Sequence, residues 1–517
     1  MSVRRELSLW RLLAALVLLA ALPMLATLVA AMAARPELPP GPASYNPLPL
    51  TIEPLHRAWM SRDLQRGRRL AEGSVQQAGP ALEAPQFPET LPTVVLPARA
   101  QPYDLAELQH SFPAVFETTD QALLVRANID VATGARLVVD AATTPDVRLL
   151  SSAAEFVSVI AWGGAIDVQG TEQAPARISS WDPDVGAADS HPADGRSYLL
   201  AVGGQMDIDH GDLGHLGFGT GTTSGVAWRG QPLSTGGPIA RVFGNVTHSV
   251  LHDNWFGAYT WEAQGMKWVG NSFVDNLAYG FDPHDLSNDF LVEGNVAHGN
   301  GRHGFIFSRG CDRNMLRDNV AYDNRGHGFM IDDGRSLDAS FAPARFLASN
   351  DNELIGNRAY DNDGSGIEIE GGTGTVITGN VLSRNHVGVR IKNDASALIS
   401  DNRISDSQLA GVDVLSSGED VKVAGNEVTG GWTSVALGKP GAARVTGNDM
   451  TGASTALVID GVAQRDAGLG TAIGQVLRWN PLLVLWVGIL GVPGILAVHR
   501  LARWLLLRRR GARAVTG

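Results

Sequence analysis

Asparagine returns along this chain at almost fixed intervals, and that periodicity constrains the fold more than any other feature. An Asn followed by a mainly apolar residue occurs at Asn245, Asn271, Asn295, Asn319, Asn357, Asn380, Asn402, Asn426 and Asn448, at spacings of 26, 24, 24, 38, 23, 22, 24 and 22 residues. Self-similarity of this length is the mark of a solenoid, in which each repeat packs only on its neighbours. About this many residues make one coil of a right-handed parallel β-helix. A stacked turn residue accounts for the Asn column without invoking function. The fold expected is therefore all-β, a right-handed parallel β-helix solenoid, flanked by N- and C-terminal membrane-type helices.

A second landmark sets the register. Gly257, Gly280, Gly304, Gly328, Gly366, Gly388 and Gly411 follow the asparagines by about nine residues, except that Gly257 comes twelve after Asn245. After each Gly the first and third residues are mostly apolar, as in Phe305 and Phe307, Phe329 and Ile331, Ile367 and Ile369. Period two with one apolar face describes a strand with that face in the core. The second and fourth residues then line an outer column, with coils about 4.8 Å apart. Read coil by coil, the column runs Tyr259 and Trp261, Asp282 and His284, Ile306 and Ser308, Met330 and Asp332, Glu368 and Glu370, then Arg390 and Lys392. Such a face suits a linear sugar polymer, with aromatic rings to stack on it and one coil for roughly one sugar residue.

The two ends are different material. Leu12 to Ala34 carries no charge and follows Arg4, Arg5 and Arg11; Pro481 to Val498 is apolar and precedes six arginines. Both are read as membrane-type segments, and basic flanks put both tips in the cytoplasm. Ala31-Met32-Ala33 also fits a signal-peptide cleavage site. The expected division is a signal anchor or signal peptide over 1–34, a Pro-rich spacer and N-terminal cap over 35–120, the β-helix over 121–465, and a C-terminal transmembrane helix with a basic tail over 479–507. The main domain is expected outside the cytoplasm, held at the cell membrane. The net charge of −12 includes both basic ends, so the middle is more acidic still. That excludes ordinary nucleic-acid binding. The one cysteine, Cys311, allows no internal disulfide and reads as a buried residue.

Chemistry concentrates in Tyr279-Gly280-Phe281-Asp282-Pro283-His284-Asp285. Pro283 falls at an inward strand position, where it cannot donate to the ladder, and a local kink or bulge is expected. Asp282 and His284 share one face, so the carboxylate is placed to orient the imidazole. Tyr279 offers a phenolic proton, His303 and His327 fall in its column, and Ser308 and Arg309 fall beside His284. These residues resemble the mannuronan C5-epimerases, which convert mannuronate to guluronate within alginate. The Tyr-Gly-Phe-Asp-Pro-His run is similar to the secreted modular enzymes. Asp-Pro-His-Asp, with His303-Gly304-Phe305-Ile306-Phe307-Ser308-Arg309 downstream, is similar to the periplasmic type.

The resemblance implies a role for each residue. The C5 hydrogen lies α to a carboxylate, and removing it requires that carboxylate to be neutralised and the enediolate stabilised. Arg309 is then the partner of the carboxylate, His284 the base, Asp282 its positioner, and Tyr279 or a water the returning acid. Tyr259, Trp261, His303, His327, Asp332, Arg390 and Lys392 are the expected substrate-binding residues. No metal or other cofactor is expected, since no nonapeptide calcium repeat follows the coils. The partners expected are an acidic polysaccharide and the membrane, with a monomeric chain. The long 38-residue interval holds an insertion, Asp333 to Ala348, that is either a lid or a plain surface loop. Three classes stay open at this level: an epimerase, a polyuronate lyase, and a carbohydrate-binding β-helix without activity.

Overall fold

The computed structural model describes residues 61–62, 65–69, 79–85, 91–119, 122–219, 221–232, 239–334, 346–439 and 442–466. Three short strands make each coil, as in Phe281–His284, Leu291–Glu293 and Val296–His298. Each strand pairs in parallel with its counterpart one coil on: Phe281 with Phe305, Leu291 with Met315, Val296 with Val320. The result is a parallel β-helix. Its ladder starts earlier than the sequence boundary at 121, because Thr93–Leu96 already pairs in parallel with residues of Asn128–Ala132. The cap is smaller in consequence. Helix Leu105–Ser111, N-capped by Asp104, buries Leu105 and Leu108 against the open end of the core. At the other end Val462–Asp466 folds back antiparallel on Thr455–Ile459. The terminal segments 1–34 and 479–507 and the spacer over 35–55 lie outside the described residues. No helix among the described residues is long and apolar enough to cross a membrane.

The alternation read from sequence is the one observed. Phe281, Phe305 and Phe329 stack in register and continue into Ile367, Val389 and Val412, all fully buried. Phe305 and Phe329 lie face to face, with centroids 4.9 Å apart. Burial of each ring stabilises the solenoid by about 1.5–3 kcal/mol. The glycine column has a steric cause: a Cβ on Gly280 would sit 2.5 Å from the Gly304 oxygen and 3.0 Å from Asn300 Nδ2.

Asparagine ladders hold the corners. Asn319 Nδ2 donates to Asn357 Oδ1 at 3.0 Å and to the Val292 carbonyl at 2.9 Å, while its own Oδ1 accepts from Asn295. The same pattern runs from Asn271 to Asn448. Asn245 does not belong to it; that corner position is Ser249, whose amide donates to Asn271 Oδ1. The twelve-residue offset to Gly257 was the sign. A second ladder, Asn276, Asn300, Asn324, Asn362 and Asn385, was missed in the sequence because its members do not share the apolar follower. Pro283 causes no bulge either. The register is 24 residues at both Phe281–Phe305 and His284–Ser308, and only the pairings between them are lost.

The outer face is covered over its first coils. Arg66, on the helical stretch 65–69, is buried and donates to Thr93 Oγ1 at 2.5 Å and Ser158 Oγ at 2.9 Å. Further along, Phe156, Tyr198 and Phe218 pack over Ile160, Leu200 and Ala227. Beyond this cover comes the column that carries the expected site.

Candidate active site

The outer column has the register read from the sequence. Tyr259 pairs with Asp282 and Trp261 with His284. His284 pairs with Ser308, Ser308 with Asp332, and Asp332 with Glu370. Much of this face is sunk rather than exposed: Asp282, Ser308, Asp332 and Glu368 are each 2% exposed or less.

The geometry around His284 differs from the expectation in one respect. Its Nδ1 is hydrogen bonded to Asp285 Oδ2, not to Asp282. Strict alternation would send residue 285 to the opposite face from 284. Here the strand ends instead in left-handed backbone, φ 36° at Asp285 and 62° at Leu286, and the carboxylate returns to the side of the ring. Glu262 and Arg309 occupy the equivalent corners of the neighbouring coils, at φ 55° and 63°. Backbone bonds link them: Glu262 N to Asp285 O at 2.8 Å, and Leu286 N to Arg309 O at 3.1 Å. Stacking of these corners brings Arg309 Nη1 within 3.1 Å of Asp285 Oδ1. A Cβ on Gly334 would lie 2.7 Å from Arg309 Cγ, so that glycine leaves room for the arginine. Asp285 was the residue the sequence reading did not assign.

Two groups in this site have unspent capacity. Arg309 Nε is buried without a hydrogen-bond partner, and so is Asp282 Oδ1. The Nε2 of His284 carries no hydrogen bond among the described residues, which leaves it free to face a ligand. Burial pushes the Asp282 carboxyl up to about 7, with the charges of Asp285 and Asp332 adding to the rise and His284 opposing it. Burial alone would lower the His284 pKa. The Asp285 hydrogen bond and the carboxylates of Asp282 and Asp285 outweigh it, and the net shift is upward.

Tyr279 stacks on His303 at 5.4 Å, and His303 stacks on His327 at 4.7 Å. The Tyr279 hydroxyl accepts from Arg302 Nη1 at 2.7 Å, and burial raises its pKa to about 12, so it keeps its proton. The two histidines act as acceptors at Nδ1: His303 from the His327 amide at 2.9 Å, His327 from the Ser365 amide at 2.8 Å. Burial lowers both pKa values, and the two rings position the tyrosine column. Asp332 accepts from Ser308 Oγ and from the Gly334 amide at the neck of the insertion, whose two ends meet at Leu347 N to Asp333 O, 3.1 Å. Residues 335–345 of that insertion lie outside the described residues.

The expected cation pair is not free. Arg390 Nε lies 3.0 Å from Asp413, with both side chains buried, and Lys392 Nζ lies 2.5 Å from Glu368. Glu368 is held down to about 2 by His327 and Lys392 in spite of its burial. These charges are spent on one another. Tyr259, 8% exposed, lies 5.9 Å from the His284 ring and forms a wall more than an open platform. Trp261 is half-buried under the Arg229 guanidinium, 4.7 Å away.

Elsewhere among the described residues, two clusters have metal-ligand composition. Asp209, His210 and His248 offer ligand atoms within 4.8 Å of one another. In the other, His215, His252 and Asp253, both His252 nitrogens are already bonded to Asp212 and Asp253, which raise its pKa to about 9. An imidazolium so held is closed to a metal.

Comparison with known proteins agrees with this architecture. The family model described as right handed beta helix region matches residues 234–346 and 338–464. Mannuronan C5-epimerase of Pseudomonas fluorescens is 28% identical over 199 residues, 37% of this chain and 36% of that protein. The enzyme of the same name from Pseudomonas aeruginosa is 28% identical over 214 residues, 40% of this chain and 38% of that one. The chain thus matches under two fifths of the length of these relatives. The crystal structure of the periplasmic alginate epimerase AlgG superposes with a TM-score of 0.56 at 19% identity, covering 71% of this chain and 84% of that one, a likeness of fold. The chain is a right-handed parallel β-helix protein related in sequence to the mannuronan C5-epimerases.

Proposed function

We propose that the groove around His284 epimerises mannuronate to guluronate at C5 within an acidic polysaccharide. The observation that carries this reading is the His284–Asp285–Arg309 cluster: a ring fixed through Nδ1, with Nε2 open, beside a guanidinium that has a buried, unspent Nε. The sugar carboxylate sits on Arg309, which draws off charge as it develops. Nε2 of His284 takes the C5 proton, and the C–H electron pair moves into the carboxylate as an enediolate. A proton from Tyr279, or from a water beside it, reforms the C–H bond on the opposite face. No other bond breaks, and each product residue has the composition of its precursor. Asp282, with its pKa at about 7, is largely neutral below that pH and so does not repel the incoming carboxylate.

The setting proposed for this chemistry is extracytoplasmic, as the name of the periplasmic AlgG relative suggests. The apolar terminal segments would tether a monomeric domain to the membrane, with the division into anchor, spacer, solenoid and C-terminal helix given above. The reading is tested by incubating the full chain with polymannuronate in heavy water. Deuterium at C5 without unsaturated ends supports it. Ultraviolet-absorbing unsaturated ends would make the protein a lyase instead.

A further inference from the structure

One cation on the outer face, Arg229, makes no ion pair among the described residues and has no part in the chemistry above. Arg229 ends strand Gly225–Arg229 and is in register with Trp261, which is in register with His284. The three side chains therefore form one column, and Arg229 stands two coils from the base, about twice the 4.8 Å coil spacing. Its guanidinium rests over the Trp261 ring at 4.7 Å. Among the described residues it makes no ion pair and its side chain donates no hydrogen bond. Burial raises the Glu262 pKa, Asp285 adds to the rise and Arg229 opposes it from within electrostatic range, yet among the described residues Arg229 and Glu262 form no ion pair. On the other side of Arg229 the column continues into Val202 and Trp162, which bear no charge.

We propose that Arg229 and Trp261 form a carboxylate-reading subsite that binds a second uronate two residues along the polymer from the reacting sugar. The inference rests on the proposed function and extends it to substrate recognition. Trp261 supplies an apolar floor for the sugar residue between, and its ring holds the guanidinium in place from beneath. None of the five donors of Arg229 is used among the described residues, and a planar fork matches a carboxylate bidentately. Toward the other end of the outer face, Lys392 in this column and Arg390 in the neighbouring one are already neutralised by Glu368 and Asp413. Recognition of charge is thereby one-sided. The polymer is gripped on the Arg229 side of His284, and its other arm meets paired charges.

The test compares wild type, Arg229→Gln and Arg229→Lys on oligomannuronates of defined length, reading C5 deuterium exchange as KM and kcat separately. For oligomers long enough to reach from His284 to Arg229, Arg229→Gln raises KM by roughly tenfold or more, the scale of a charge-assisted hydrogen bond, with kcat unchanged. Arg229→Lys recovers part of the loss, and oligomers too short to reach the subsite give the same KM for all three proteins. An unchanged KM on long substrates in a variant that melts like wild type overturns the subsite, as does a fall in kcat alone. If wild type exchanges no C5 hydrogen, the proposed function fails, and the subsite is then decided by binding. Weaker retention of polymannuronate by Arg229→Gln in affinity electrophoresis supports it, and equal retention overturns it.

Discussion

Asp285 holds His284 from the next position in the chain: one carboxylate oxygen accepts from Nδ1 of the ring, and the other lies 3.1 Å from Arg309 Nη1. A base aimed by its own neighbour depends on the left-handed turn that brings the two together. Replacing His284 by Gln is expected to lower kcat by about 10²–10⁴-fold, the usual contribution of a positioned general base. Circular dichroism and melting temperature stay near wild type, because a glutamine amide of similar reach can still donate to Asp285.

The pH dependence of Asp285→Asn has a definite sign. The Asp285 hydrogen bond and charge raise the His284 pKa against its burial. Without that charge the pKa falls, so the base form persists to lower pH. The acid limb of the kcat/KM profile therefore moves to lower pH, while the maximal rate drops as the ring loses its orientation. A limb that stays in place, or moves up, would show that Asp285 does not set the titration of His284.

Arg390 and Asp413 are expected to matter for stability and not for substrate affinity. Both side chains are buried at 6% and 1% exposure. Removing one partner of such a pair costs about 3–5 kcal/mol, whereas replacing both with apolar residues is close to neutral. Arg390→Gln should lower the melting temperature with no change in KM of the surviving folded protein. Arg390→Met with Asp413→Leu should restore most of the stability. A KM change in the double variant would return Arg390 to the substrate-binding set.

The corner ladder gives a larger stability effect than its polarity suggests. Asn319→Ala removes the acceptor of the buried Asn295 amide and one bond each from Asn295 Nδ2, Asn357 Oδ1 and the Val292 carbonyl, although Asn295 Nδ2 keeps the Trp268 carbonyl and Asn357 Oδ1 keeps the backbone amide of residue 319. The Asn295 amide is left unsatisfied at a cost of about 1–3 kcal/mol, and a loss of at least that size is expected in urea unfolding. Asn245→Ala, off the ladder and exposed, should cost far less.

His252 makes stability depend on alkaline pH. Its hydrogen bonds to Asp212 and Asp253 raise its folded pKa to about 9, above an unfolded value of about 6.5. A group whose pKa is raised on folding stabilises fully below the unfolded value and loses that contribution as pH climbs through the folded one. Wild type should therefore lose more stability between pH 6.5 and 9 than His252→Gln does. Equal losses in thermal melts across that range would remove His252 as the cause.

The fold was legible in the sequence because a solenoid repeats its physics. One Gly column and one alternating face fixed which residues point inward, and the pairing of Phe281 with Phe305 and of Trp261 with His284 agrees with that reading. What escaped was local. Asp285 was overlooked because alternation fails where φ turns positive, and Asn245 was misplaced because an Asn-apolar pair also occurs at a strand start. The pairing of Arg390 and Lys392 was not visible either. Register places like and unlike charges on adjacent coils, but sequence alone does not say which will bond. The insertion from Asp333 to Ala348, expected as a lid or a surface loop, lies largely outside the described residues.

The central claim is that a base on this column removes the C5 hydrogen of a polymeric uronate and returns a proton to the other face. Nuclear magnetic resonance of polymannuronate treated in heavy water tests it directly. The account predicts guluronate residues carrying deuterium at C5, an unshortened polymer, and no such signal with His284→Gln. Guluronate without deuterium, or the same incorporation by the His284→Gln protein, would contradict it.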